Sequence, residues 1–249
     1  MALLHSFENE GNWLFKRRGF LPLVLFVAAI PFIYGTDYNN ISPVVVKLYT
    51  YSGIVLCAIG FCIRAITIGT TPKGTSGRNT KEQVAEQLNT SGIYSVLRHP
   101  LYLGNYLMWI GIVLYTENIF FVLIVSLLFW LYYERIMFAE ERFLEKKFGQ
   151  AFTDWSLRVP AFIPGIRGYR KSSIPFSFKS VIRREYSGVL AAVSGFIYID
   201  VLKNSFAVTP ATMAVSRTES FIFVFVVVVV LLIKLVKKRT SLLDEDDRS

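Results

Sequence analysis

The sequence is poor in the side chains that bind transition metals: it has two histidines, His5 and His99, and two cysteines, Cys57 and Cys62. A multi-histidine metal centre is therefore excluded, and carboxylates alone argue only weakly for such a metal. Both cysteines fall in one apolar segment, at a spacing that suits small packing residues rather than a disulfide. Acidic residues are also in short supply, with 18 Asp and Glu against 27 Lys and Arg, a net charge of +9. The basic excess forms no domain of its own but flanks apolar runs, which argues for anionic lipid and against nucleic acid. The N-terminus has no apolar core followed by a small-residue cleavage site, so no removable signal peptide is expected.

What the chain does have is apolar surface. Hydrophobic residues make up 53% of it and the mean hydropathy is +0.45, too apolar for a soluble domain of this size. The expected fold class is all-α, a polytopic helical membrane protein of about six transmembrane helices with a cytoplasmic-facing cofactor pocket. The candidate spans are residues 20–35, 44–68, 100–115, 119–133, 187–202 and 219–236. In the second span Lys47 and Arg64 sit near the ends, where long side chains snorkel to an interface. Three residues, Thr116 to Asn118, join the third and fourth spans and force a helix hairpin. The fourth span continues as a helix through EERFLEKKFG to a stop at Gly149.

The polar connections are equally informative. Residues 69–91 form a loop rich in Gly and Thr, with a short helix considered over 81–88, and VPAFIPG at 159–165 is broken by two prolines and a glycine. The stretch 166–186 reads as basic and interfacial, and the acidic tail SLLDEDDRS as disordered. With both termini cytoplasmic, the basic clusters at 16–18, 73–98, 135–184 and 237–239 all lie inside, whereas the opposite turns hold only Lys203 and Arg217.

The chemistry concentrates in GIYSVLRHPLYLGN, residues 92–105, where Arg98 and His99 stand at the start of the third span and Pro100 occupies a first helical position. The fourth span returns Glu134, Arg135, Glu140 and Glu141 to the same face. Together with Tyr94 and Tyr102 these residues suit a zwitterionic, ring-containing molecule: carboxylates for amines or hydroxyls, arginines for anions, tyrosines for stacking. The alternative is an ordinary charged span end with Lys146 and Lys147 as ion-pair partners of the glutamates. The residues alone leave both open.

The order GIY, RHPLY with Gly104, a helix hairpin, EERFLEKKFG and VPAFIPG resembles the isoprenylcysteine carboxyl methyltransferase family, including its bacterial relatives and the phospholipid N-methyltransferases, over residues 85–165. The resemblance implies S-adenosyl-L-methionine bound on the cytoplasmic side. It places cofactor contacts at Leu88, Tyr94, Arg98, His99, Pro100, Tyr102, Glu140 and Glu141. An arginine that orients an anionic acceptor is expected one turn before the acidic pair; that position is Ile136, with Arg135 adjacent and Glu134 next to it as a base or cation partner, so Arg135 and Glu134 are the catalytic candidates. The acceptor implied is lipid-like or prenylated, methylated at a carboxyl oxygen, or at nitrogen in the phospholipid branch. A membrane reductase of the sterol type using NADPH is the alternative of another class. The expected organisation is 1–84 for N-terminal spans and a cytoplasmic loop, 85–165 for the methyltransferase core, and 166–249 for a basic linker, two further spans and the tail.

Overall fold

The computed structural model describes residues 2–72, 74, 83–165, 167–207, 215–245 and 248. Among them are eight α-helices: α1 (Ala2–Arg17), α2 (Leu21–Tyr34), α3 (Pro43–Gly69), α4 (Pro100–Leu114), α5 (Ile119–Phe148), α6 (Gln150–Ser156), α7 (Phe178–Ala207) and α8 (Arg217–Arg239). Helix starts follow local chemistry. Ser42 caps α3 ahead of Pro43, Asn118 accepts from the Phe121 amide at 3.0 Å, and Ser216 with Glu219 forms a capping box on α8. Gly149, at φ +53°, ends α5 and starts α6.

Four helices, α3, α5, α7 up to Phe206, and α8, are long and apolar enough to cross a membrane. Their outward faces are apolar, as with Leu48 and Val55 on α3, Leu127 and Leu131 on α5, and Val224 and Val228 on α8, the pattern a lipid solvent requires. Helices α2 and α4 are apolar but have 14 and 15 residues, short of the roughly 20 needed to span. Helix α4 is instead packed inside, its Ile110, Ile112 and Val113 joining Phe121, Val125 and Ile199 in the main core, whereas α2 gives Ala29 and Ile33 to that core and leaves Leu23, Val24 and Val27 on an exposed apolar face.

Helices α3 and α4 approach closely because glycines face each other. A Cβ on Gly53 would stand 2.5 Å from the Gly111 carbonyl oxygen, and one on Gly60 would stand 2.6 Å from that of Gly104. The two pairs recur one heptad apart on both helices, so backbone meets backbone along the crossing.

Three features depart from the sequence reading. The N-terminal stretch, outside all the candidate spans, is a 16-residue helix laid on α5. Helix α7 begins at Phe178, nine residues ahead of the span expected from 187, because the polar face of SVIRREY is folded against the protein rather than left at an interface. The acidic tail, expected to be disordered, is docked: Glu245 accepts from the Ser177 and Ser180 hydroxyls at 2.5 and 2.8 Å, and Arg248 donates to the carbonyls of Gly69 and Pro175. Of the helix considered over 81–88, residues 83–88 are non-helical and the first two lie outside the described residues.

Candidate active site

A cavity of about 470 Å³ opens between α1, α3, α4, α5 and α7, roofed by residues 83–89. One of its walls is built by backbone pairing between two segments some sixty residues apart. The Arg98 amide donates to the Pro160 carbonyl at 2.9 Å, the His99 amide to that of Ala161 at 3.1 Å, and the Gly165 amide to that of Val96 at 2.8 Å. The proline-broken loop 159–165, which cannot make a helix, thus supplies the carbonyls that hold the RHP segment in place. Arg98 is tied further by its guanidinium to the carbonyls of Ser156 and Val159.

His99 is buried at the cavity wall, and both ring nitrogens meet carboxylates: Nε2 lies 2.8 Å from Glu141 Oε1 and Nδ1 lies 3.5 Å from Glu140 Oε2. Burial pushes its pKa down, but the hydrogen bonds and charges of the two glutamates outweigh this and leave it above the ordinary 6.5. Glu141 also pairs with Arg98 Nε at 2.9 Å. The His99 ring stacks on Tyr102 at 5.6 Å, and Tyr102 leans on Tyr133 at 4.8 Å. Tyr94 is held by a bond from Trp155 Nε1 to its carbonyl at 3.0 Å, and burial first, then the Glu140 charge, raises the pKa of its hydroxyl. Leu88 packs on the Phe152, Trp155 and Val159 cluster beside it.

Eight predicted positions, Leu88, Tyr94, Arg98, His99, Pro100, Tyr102, Glu140 and Glu141, therefore line one cavity. The other two do not. Glu134 and Arg135 face α1: Arg135 bonds to Glu134 at 2.8 Å and Glu10 at 3.3 Å and lies over the Phe7 ring. Tyr133, Glu140, Glu141 and Leu144 share the cavity face of α5; at about 100° per residue Arg135 points away from that face, whereas Glu134 lies on the side of Glu141 but about two helical turns back along α5, where its carboxylate pairs with Arg135. Ile136, where the family arginine was expected, is fully buried in the core.

The cavity also takes residues that the sequence did not single out. Phe15, Arg18 and Gly19 come from the α1 end, Asn105 from α4, and Arg184 and Glu185 from α7. Arg64 was expected to snorkel outward but turns inward, pairing with Glu185 at 2.7 Å. Its only signal in the sequence was an arginine within an apolar helix. Among the described residues no three His, Cys, Asp or Glu side chains gather as metal ligands.

A helical, membrane-type scaffold with a charged cavity on the RHP turn, lined by both arginines and glutamates, is the arrangement of a membrane enzyme that takes a zwitterionic ligand. Residues 48–151 match the phospholipid methyltransferase family. Among curated relatives, the nickel-cobalt-cadmium resistance protein NccN of Alcaligenes xylosoxydans xylosoxydans is 31% identical over 159 residues, 63% of this chain and 68% of that protein. The cobalt-zinc-cadmium resistance protein CzcN of Cupriavidus metallidurans is 34% identical over 137 residues, 55% of this chain and 57% of its own length. The protein-S-isoprenylcysteine O-methyltransferase of Tribolium castaneum is 29% identical over 119 residues, 47% of this chain and 42% of its own. No solved structure matches. The chain belongs to the family of membrane methyltransferases that unites the phospholipid and isoprenylcysteine enzymes.

Proposed function

We propose that the protein is an integral membrane methyltransferase that binds S-adenosyl-L-methionine in the RHP cavity and methylates a lipid-like acceptor. The observation that carries this is the convergence of Tyr94, Arg98, His99, Tyr102, Glu140 and Glu141 on one cavity. Its residues fit the cofactor. The volume lies within the ~300–1,000 Å³ typical of ligand pockets. Glu140 keeps lone pairs for an ammonium or hydroxyl, since its contact to His99 is long at 3.5 Å. The buried Gln83 Oε1 has no hydrogen-bond partner among the described residues, an acceptor open to a ligand N–H.

When bound, the cofactor supplies an electrophilic methyl on a sulfonium. The protein contributes position, charge and exclusion of water. Glu140 and Glu141, set one after the other on α5, face the ligand with negative charge. His99 and Arg98 anchor Glu141 so that its carboxylate keeps one orientation, while Tyr94, Tyr102, Phe152 and Trp155 close the walls. No covalent intermediate is required.

The acceptor we infer is an amphiphile methylated at a carboxyl oxygen, as the names of the isoprenylcysteine relatives suggest. N-methylation of a phospholipid is the second reading, favoured by the family description itself. The resistance relatives are named for metal tolerance. This cavity offers carboxylates already engaged with arginine and histidine, which suits an organic zwitterion better than a metal ion. Six crossings, with α2 and α4 as the short ones, and a cavity open to the cytoplasm are the topology that the basic clusters support. The core we infer is the segment 85–165 together with Arg64 and Glu185, which line the same cavity from outside it. Calorimetric titration of the nanodisc protein with S-adenosyl-L-methionine and, separately, with NADPH tests the reading: saturable heat with the first alone is expected, and with NADPH alone the reaction would be that of a reductase.

A further inference from the structure

The segment that follows α8 lies outside the family match at 48–151, yet two of its charges are seated on the ends of two other helices. Helix α8 closes at Thr240, and the chain turns at Ser241, whose carbonyl accepts from the Asp244 amide at 2.9 Å. The Glu245 carboxylate then accepts from the Ser177 and Ser180 hydroxyls, at 2.5 and 2.8 Å, where α7 begins. Arg248 donates to the carbonyl of Gly69, the last residue of α3, and to that of Pro175. An anion thus meets the N-terminal end of one helix and a cation the C-terminal end of another, the pairing that each helix dipole favours. Asp244 adds an ion pair with Arg183 at 3.1 Å.

Both seats adjoin the cavity without being part of it. Gly69 follows Ile68, and Ser180 stands about one helical turn before Arg184 and Glu185; Ile68, Arg184 and Glu185 line the cavity, whereas Glu245 and Arg248 do not. The seam between α3 and α7 is narrow there. A Cβ on Gly69 would collide with the Phe176 ring, and the Ser177 amide donates to the Gly69 carbonyl at 2.9 Å. Glu245 and Arg248 therefore bridge the joint at which the cavity wall passes from one helix to the other.

The attachment is almost wholly polar. Leu242 is 64% exposed, so the segment hides little apolar surface. Hydrogen bonds that replace bonds to water contribute modestly, and ordering the segment offsets much of what they contribute. Such a contact opens far more readily than a packed core. It is nonetheless well formed when seated, because the Ser177 hydrogen bond, against a smaller opposing effect of burial, holds the Glu245 carboxyl below its ordinary pKa and keeps it charged.

We propose that Glu245 and Arg248 make this segment a releasable strap. Seated, it binds α3 to α7 and closes the cavity along their seam; released, it lets the two helix ends part and the cavity exchange its contents. The inference concerns access and goes beyond the methyltransferase reading, since it holds for any ligand of the cavity.

The test uses the full chain in an uncharged maltoside detergent, with Cys62→Ala removing the exposed thiol and Ile68→Cys placing one on the cavity wall. Ile68 is 2% exposed, so a water-soluble methanethiosulfonate reagent reaches that position only through an opening. Cys57, buried in the core on the same helix, reports general loosening. Adding Glu245→Ala or Arg248→Ala should raise the labelling rate at position 68 about tenfold, as loss of charge-assisted bonds implies, and leave the Cys57 rate within about twofold. Glu245→Asp should fall between. A rate at position 68 that stays within about twofold of the strap-intact protein overturns the proposal. So does a parallel acceleration at Cys57, which would make the segment a general stabiliser. Should Ile68→Cys fail to fold, Leu144→Cys on the α5 wall of the cavity takes its place under the same criteria. S-adenosyl-L-methionine should slow labelling of the strap-intact protein, and its failure to do so would count against the methyltransferase reading alone.

Discussion

His99 Nε2 stands 2.8 Å from Glu141 Oε1, although the two residues are 42 positions apart and on different helices. The contact joins the start of α4 to the C-terminal half of α5, and Arg98 grips the same carboxylate. Replacing His99 by Ala removes the partner that orients Glu141 and leaves a gap in the cavity wall. S-adenosyl-L-methionine affinity should fall by about tenfold to a hundredfold, or about 1.4–2.8 kcal/mol, as read by calorimetry. Glu140→Ala should cost a similar amount.

The same contact sets a pH dependence. The folded-state pKa of His99 lies above its ordinary value of 6.5, because the two glutamates outweigh burial. A raised pKa means that the imidazolium stabilises the fold fully below about 6.5 and that this contribution disappears as pH rises through the higher folded value. Thermal midpoints measured in detergent from about pH 6 to about pH 9 should decline in the wild type. In His99→Gln that decline should be shallower.

Arg135 should behave as a docking residue. It lies over Phe7 and pairs with Glu10 and Glu134, away from the cavity. Arg135→Ala should therefore leave S-adenosyl-L-methionine affinity within about twofold of wild type, with at most about 1 kcal/mol lost in stability because exposed pairs contribute little. Calorimetry and thermal denaturation together check it. A tenfold loss of affinity would return Arg135 to the site.

These residues show how much the sequence disclosed. Seven of the eight cavity positions were legible because motif and helix start coincide, with a proline at N1, a His before it, aromatic neighbours and an acidic pair near the end of an apolar helix, whereas Leu88 followed only from the family resemblance. Arg135 was misplaced because being next to the right residue on a helix points a side chain in a different direction. Arg64 and Glu185, 121 positions apart, were hidden because their pairing depends on how α7 packs, which no local periodicity encodes. The docked tail was hidden for the same reason, since its partners are the Ser177 and Ser180 hydroxyls and the carbonyls of Gly69 and Pro175. Helix α1 was missed because its packing face is short and centres on Gly11, where a Cβ would stand 2.7 Å from that of Ala139.

The glycine crossing gives a stability test independent of the site. A Cβ on Gly111 would stand 2.9 Å from the Cys57 amide nitrogen and 3.1 Å from its Cβ, against backbone that cannot move aside. Gly111→Ala should cost about 1–3 kcal/mol through overpacking. Gly149 is no fair comparison because of its positive φ, but Gly19, with nothing within 4 Å of an added Cβ, is. Gly19→Ala should leave the thermal midpoint nearly unchanged.

At the opposite end of the bundle, the turn between α4 and α5 depends on a buried charge. Glu117 adopts φ +57°, a conformation that costs a non-glycine residue about 1–3 kcal/mol. Its carboxylate is 2.5 Å from Lys203 Nζ on α7, with side-chain exposures of 1% and 14%. The ammonium also faces the Tyr115 ring at 4.6 Å and the Tyr38 ring at 5.3 Å. Removing either partner alone strands the other charge in apolar surroundings. Lys203→Met and Glu117→Gln should each destabilise by about 3–5 kcal/mol. The double variant should lose less than the sum, because neither charge remains to be desolvated. Thermal denaturation of the four proteins forms the cycle, and strict additivity would mean that the turn is held by its backbone and not by the ion pair.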